Sequence, residues 1–149
     1  MRLAVTALAF LALALASDTA RADAPKAKAD AIVGEWLTAN GEARIRFAFE
    51  NGAYVGRISW LKTATKDGKP IVDENNPDPA LRSRTMMGAA IVWNLHFDGS
   101  GYVDGYLYDP EHGKTYKGKA TVESPTRLAL RGYVGIPLFG RSETWTRVS

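Results

Sequence analysis

Cysteine is absent from this 149-residue chain, which excludes disulfide staples, thiolate metal centres and thiol lipidation. Histidine occurs only twice, at His96 and His112. Neither has a cysteine or a second histidine at ligand spacing, so the usual zinc arrangements are not expected. No charge of one sign dominates. Nineteen Lys and Arg stand against sixteen Asp and Glu, a formal net charge of +3, and the basic residues are scattered along the chain. That is a solvated surface, not a nucleic-acid footprint. Long apolar runs are missing too, with one exception at the N-terminus.

That exception has the order of a secretory signal: Arg2, then apolar and small residues from Leu3 to Ala16 (one Thr aside), then Ala20-Arg21-Ala22. The run is too short for a membrane span, which needs about 20 residues. Cleavage is expected after Ala22, with Ala16 as the alternative. The domain plan is therefore a signal peptide over 1–22, a flexible Ala- and Lys-rich leader over 23–31, and one folded domain over 32–149. The product is expected in the periplasm or secreted, with no transmembrane segment in the mature chain.

Within the domain the dominant signal is alternation at period two. Ile45, Phe47 and Phe49 alternate with Arg44, Arg46 and Glu50. Tyr54, Gly56, Ile58 and Trp60 share a face, as do Ile91, Trp93, Leu95 and Phe97. Tyr102, Tyr106 and Tyr108 fall on one face with Asp104, and Tyr116, Gly118, Ala120 and Val122 on another. Asn51-Gly52, Asp67-Gly68, Asp98 to Gly101 and Asp109 to Gly113 supply turns. Eight short strands joined mostly by tight turns predict an all-β fold. Consecutive hairpins favour an eight-stranded antiparallel up-and-down barrel, which closes its edges.

The least generic stretch is Asp73-Glu-Asn-Asn-Pro-Asp-Pro-Ala-Leu-Arg-Ser-Arg84, between the third and fourth barrel strands. Pro77 and Pro79 lack N–H groups and restrain the residues before them. Asp73, Asn76 and Asp78 are expected to structure the loop, Asp78 as the N-cap of one helical turn from Pro79. Its oxygens do not match a calcium loop, because Pro77 and Asp78 fall where a ligand and a glycine are required. Arg82 and Arg84 suit pairing with these carboxylates, or an anionic head group. Gly113-Lys114-Thr115 lacks the upstream glycine and following helix of a P-loop. Ser142 lacks the G-x-S-x-G setting. Asp109 and Glu111 are accounted for by a turn.

Gly34-Glu35-Trp36 and Trp145-Thr146-Arg147 resemble the two ends of a lipocalin-like (calycin) barrel. The resemblance implies that Arg147 from the last strand packs over Trp36 from the first, a cation–π closure. A wider set is similar to the domain of unknown function 2147 family of small exported bacterial proteins, over nearly all of residues 34–147. It comprises Gly34 and Trp36, Gly56 to Leu61, Asp73, Asn76 to Pro79, Leu81 to Arg84, Gly88, Tyr108 to Pro110, Gly113 to Tyr116, Arg131 to Tyr133, Trp145 and Arg147. That family implies a small barrel in the envelope and no established activity, so it assigns no catalytic residues.

The functional expectation is a binding protein rather than an enzyme, without a cofactor. A small apolar or amphipathic ligand would sit at the open end, with Trp60, Trp93 and Tyr116 as the apolar wall and Arg82 and Arg84 as anion contacts. The alternative is a filled barrel that meets a protein partner through the Asp73–Arg84 loop.

Overall fold

Asn51 and Gly52 both take positive φ, 50° and 87°, the backbone that a two-residue type I′ hairpin turn demands. They join β2 (Ala43–Glu50) to β3 (Ala53–Leu61) in the computed structural model, which describes residues 26–149. The expected signal peptide lies outside the described residues. The same turn chemistry at Asp67-Gly68 closes a small hairpin of β4 (Thr65–Lys66) and β5 (Lys69–Pro70), which the sequence presents only as a polar connection. The remaining strands are β1 (Gly34–Leu37), β6 (Ala90–Phe97), β7 (Tyr102–Asp109), β8 (Lys114–Ser124), β9 (Arg127–Tyr133) and β10 (Gly140–Arg147). Eight of them close into an antiparallel barrel in the order β1-β10-β9-β8-β7-β6-β3-β2, as the alternation predicts.

The seam closes as the two end motifs require. Trp36 on β1 pairs with Arg147 on β10, and the Arg147 guanidinium lies 4.1 Å from the centre of the Trp36 ring. Arg147 also donates to the carbonyls of Val33, Pro125 and Ala31, and the Trp36 indole N–H donates to the Ile32 carbonyl at 2.8 Å. This end of the barrel is plugged by the segment just before β1. Tyr102 Oη donates to Ala29 O at 2.6 Å and accepts from Ile32 N, while Tyr54 Oη donates to Asp30 Oδ1 at 2.7 Å. Ile32 is fully buried. The flexible leader expected over 23–31 is thus corrected in its last part: residues from Ala29 onward belong to the fold, because buried tyrosine hydroxyls need those partners.

The interior is packed. Trp36, Ile45, Phe47, Val92, Leu95, Tyr102 and Leu128 are each at most 1% exposed. Glycines inside strands do not leave holes, because neighbours occupy the space. A Cβ on Gly105 would lie 2.4 Å from Leu95 Cδ2, and one on Gly118 would lie 2.6 Å from Leu107 Cγ.

Three expected inward positions are corrected. At β3 the register steps from Ile45↔Ile58 to Arg44↔Trp60, so Ser59 is an extra residue. The bulge reverses the alternation; Leu61 packs on the core, and Trp60 faces outward, 37% exposed, with Arg44 5.0 Å from its ring centre. Asn94 and Asp104, at φ 58° and 59°, do the same on β6 and β7. Val92 and Leu95 point inward, while Trp93 and Tyr106 pair on the outer wall with stacked rings 5.8 Å apart. The expected common face of Tyr102, Tyr106 and Tyr108 is divided likewise: Tyr102 is in the core, and Tyr106 is exposed outside. Phe49, also expected inside, is exposed at the plugged end, edge-on to Tyr54.

Candidate binding cleft on the barrel wall

The Asp73–Arg84 stretch folds back on itself. Val72 and Thr85 form an antiparallel bridge at its neck, and Asp73 N donates to Arg84 O. Asp78 N donates to Asn76 Oδ1, and Asp78 Oδ1 accepts from Ala80 N, capping a 3-10 turn at Pro79–Leu81. Asn76 and Asp78 therefore structure the loop through its own backbone, while Asp73 does so through other side chains.

Asp73 is the centre of this arrangement. Its side chain is wholly buried, yet it accepts from Tyr108 Oη at 2.6 Å, Asn76 Nδ2 at 2.8 Å, Arg84 Nε at 2.9 Å and Arg84 Nη2 at 2.8 Å. Burial by itself raises the carboxyl pKa. The hydrogen bonds from Tyr108, Asn76 and Arg84, with the Arg84 charge, outweigh it and hold the group below the usual value. Tyr108 moves the other way: burial, then the Asp73 carboxylate, push its phenol up to about 12. Both shifts favour a charged aspartate beneath a neutral tyrosine.

The loop is pressed against the β7–β8 hairpin. Asn75 Nδ2 donates to the carbonyls of Glu111 at 2.9 Å and Pro110 at 3.3 Å. A Cβ on Gly113, at φ 63°, would fall 1.9 Å from Asn75 O, so only glycine fits this contact. Between the loop and the outer wall lies a half-open cleft of about 320 Å³, lined by Asn76, Pro77, Leu81, Arg84, Ala90, Trp93, Tyr108 and Thr115. Its walls are largely apolar, and Arg84 is the cation at its edge. Asp73 engages Nε and Nη2 of that guanidinium; Nη1 is not part of the pair.

The predicted ligand residues are thus dispersed. Trp93 and Arg84 meet in the cleft. Trp60 lies elsewhere on the outer wall, against Arg44. Tyr116 pairs with Leu107 on the inner face and packs beside Gly132. Arg82 is exposed, and its Nε donates to Asn76 O at 2.8 Å, pinning the loop. Sequence reasoning missed Tyr108, Leu81, Pro77, Ala90 and Thr115 as cleft residues. The signal for Tyr108 was its place within the resemblance set, but strand alternation assigned it to the wrong partners.

Two other places could hold small species. Asp109, Glu111 and His112 bring one ligand atom each to within 4.8 Å of one another, but Asp109 already accepts from Glu111 N and contacts His112 Nδ1 at 2.7 Å. This is how a turn satisfies itself. At the plugged end a shallow groove of about 550 Å³ runs past Ala31, Val122, Ser124, Pro125 and Arg147. Arg147 is committed there to backbone carbonyls.

Residues 34–147 match the family model of DUF2147, described as uncharacterized proteins conserved in bacteria. No functionally curated protein matches the chain. Among solved structures, the fold is similar to Protein HP1028 from the human pathogen Helicobacter pylori, described as belonging to the lipocalin family. The TM-score is 0.70 at 25% identity, over 79% of this chain and 83% of that one.

Proposed function

The chain belongs to the DUF2147 family of uncharacterized bacterial proteins, and on that premise we propose that it is an exported lipocalin-like binding protein of the bacterial envelope. Its ligand is a small amphipathic molecule, held in the loop cleft outside the barrel rather than within it. The observation that carries this reading is the cleft of about 320 Å³, the lower end of the range for small-molecule sites. Trp93, Leu81 and Pro77 offer apolar contact, and Arg84 offers a charged donor at the rim, so an acyl or ring system with an anionic head is the fitting class. The packed interior argues against a ligand inside. Export is supported by Arg2, the apolar stretch to Ala16 and the small residues at Ala20 and Ala22.

The test is native mass spectrometry of protein purified from its own envelope, paired with thermal unfolding in the presence of medium-chain fatty acids. A co-purifying amphiphile and a midpoint raised by several degrees are expected, since ligand at 100 times Kd adds about 2.7 kcal/mol. Trp93→Ala should weaken binding about tenfold or more. Undiminished binding by that variant, or no ligand at all, contradicts the reading. One observation favours a protein partner instead: Leu81 and Met87 are both exposed near the loop. In that case a polypeptide, not an amphiphile, accompanies the wild type.

A further inference from the structure

The β9–β10 connection reads Val134-Gly-Ile-Pro-Leu-Phe139, six residues without a charge or a side-chain hydrogen-bonding group. A loop of this composition would be expected to fold inward, yet Val134 is 70% exposed, Ile136 53% and Leu138 75%. Arg131 holds it in that posture. Its Nε donates to Pro137 O, its Nη2 to Leu138 O at 3.2 Å and its Nη1 to Ser142 Oγ at 2.8 Å. A guanidinium that binds the loop's carbonyls leaves Val134, Ile136 and Leu138 facing water. Exposed apolar surface of this kind marks a contact site.

The surroundings specify what the contact is with. On the outer face, Lys117 pairs with Tyr133, the residue before the loop, and Lys119 pairs with Arg131. Both lysines are exposed, as is Arg141 on the returning strand, which pairs with Gly132 on the inner side of the barrel mouth. On β8 itself the outward carboxylate is Glu123, toward the plugged end beside Arg127. On the flanking strands Asp104 lies across from Lys119, and Glu143 accepts from the Trp145 indole, so the basic groups outnumber the acidic ones around the loop. An uncharged apolar tip with a cationic collar is complementary to an anionic lipid surface, where apolar insertion and attraction to head groups act together. We infer that the 134–139 loop and its collar of Lys117, Lys119 and Arg141 seat this protein peripherally on an anionic bilayer. This surface stands whether or not the wall cleft takes a ligand.

The chain beginning at Asp23 contains every described barrel strand and lacks the apolar N-terminal run, so it is the form to test. It is sedimented with vesicles of phosphatidylcholine alone, or of phosphatidylcholine mixed with phosphatidylglycerol. Binding to the mixed vesicles only, weakened by added salt, is expected. The double variant Ile136→Ser/Leu138→Ser should bind at least about tenfold more weakly. Lys117→Glu/Lys119→Glu should show a comparable loss, and both variants should unfold at the wild-type temperature because these side chains are exposed. The inference is overturned if the wild type ignores both vesicles, or if the loop variant binds as before. It is also overturned if the loop variant instead dissociates a wild-type dimer, which would make a second copy the occupant.

Discussion

At the residue scale the loop is locked by Asp73 and Tyr108. The aspartate is ionised and buried, which is tolerable only because every hydrogen bond it needs is supplied. Tyr108→Phe removes one donor to a buried charge and should cost about 1.5–3 kcal/mol. The pH dependence follows from the directions of the shifts. The folded pKa of Tyr108 is raised to about 12, so its contribution is complete below the unfolded value of about 10 and is lost as pH climbs from there. Asp73, depressed when folded, contributes above the usual carboxylate value and loses that contribution as pH falls through its folded one. Unfolding midpoints measured across pH should therefore fall less steeply above about pH 10 in Tyr108→Phe than in the wild type. Tyr54 and Tyr102, also raised by burial, retain the remainder of that slope. An alkaline limb identical to the wild type would separate Tyr108 from the Asp73 lock.

At the scale of elements, turns and strand number were legible in the sequence because their chemistry is local. Asn51-Gly52, Asp67-Gly68 and Asp78 before Pro79 each act on their own backbone, and each does what its residue type dictates. The end motifs also located the seam correctly. Which way Trp60 and Trp93 point was not legible. Period-two reading assumes an uninterrupted ladder, and one extra residue at Ser59, Asn94 or Asp104 exchanges inside for outside. Asn and Asp tolerate left-handed backbone, but on a strand they look like ordinary solvent-facing residues. The cleft was hidden for the same reason: its floor is Trp93 and Tyr108, both assigned to other faces by alternation. Asn94 tests this directly. It sits at φ 58° and donates to Asp104 O at 2.9 Å. Asn94→Val should destabilise by about 2 kcal/mol, since a β-branched residue is strained there. Asn94→Gly should lose about 1 kcal/mol or less. Chemical denaturation that ranks valine level with or above glycine would contradict the bulge.

At the scale of the whole molecule, the barrel is a wall rather than a container. One end is plugged by Ala29 to Ile32 and by Arg147 over Trp36. The space beside its strand glycines is taken by Leu95, Leu107, Ile45 and Phe47. The two proposed contact sites are therefore on what the barrel holds in place: the Asp73–Arg84 cleft and the apolar 134–139 loop, both on connections at the opposite end. The most direct test is the thermal unfolding of Gly105→Ala. Leu95 is fully buried and its Cδ2 lies 2.4 Å from the new methyl position, so overpacking should cost about 1–3 kcal/mol and lower the midpoint by several degrees. A hollow barrel would let Leu95 move aside, and replacing a strand glycine would then stabilise by about 0.5–1 kcal/mol; an unchanged or raised midpoint contradicts the filled interior.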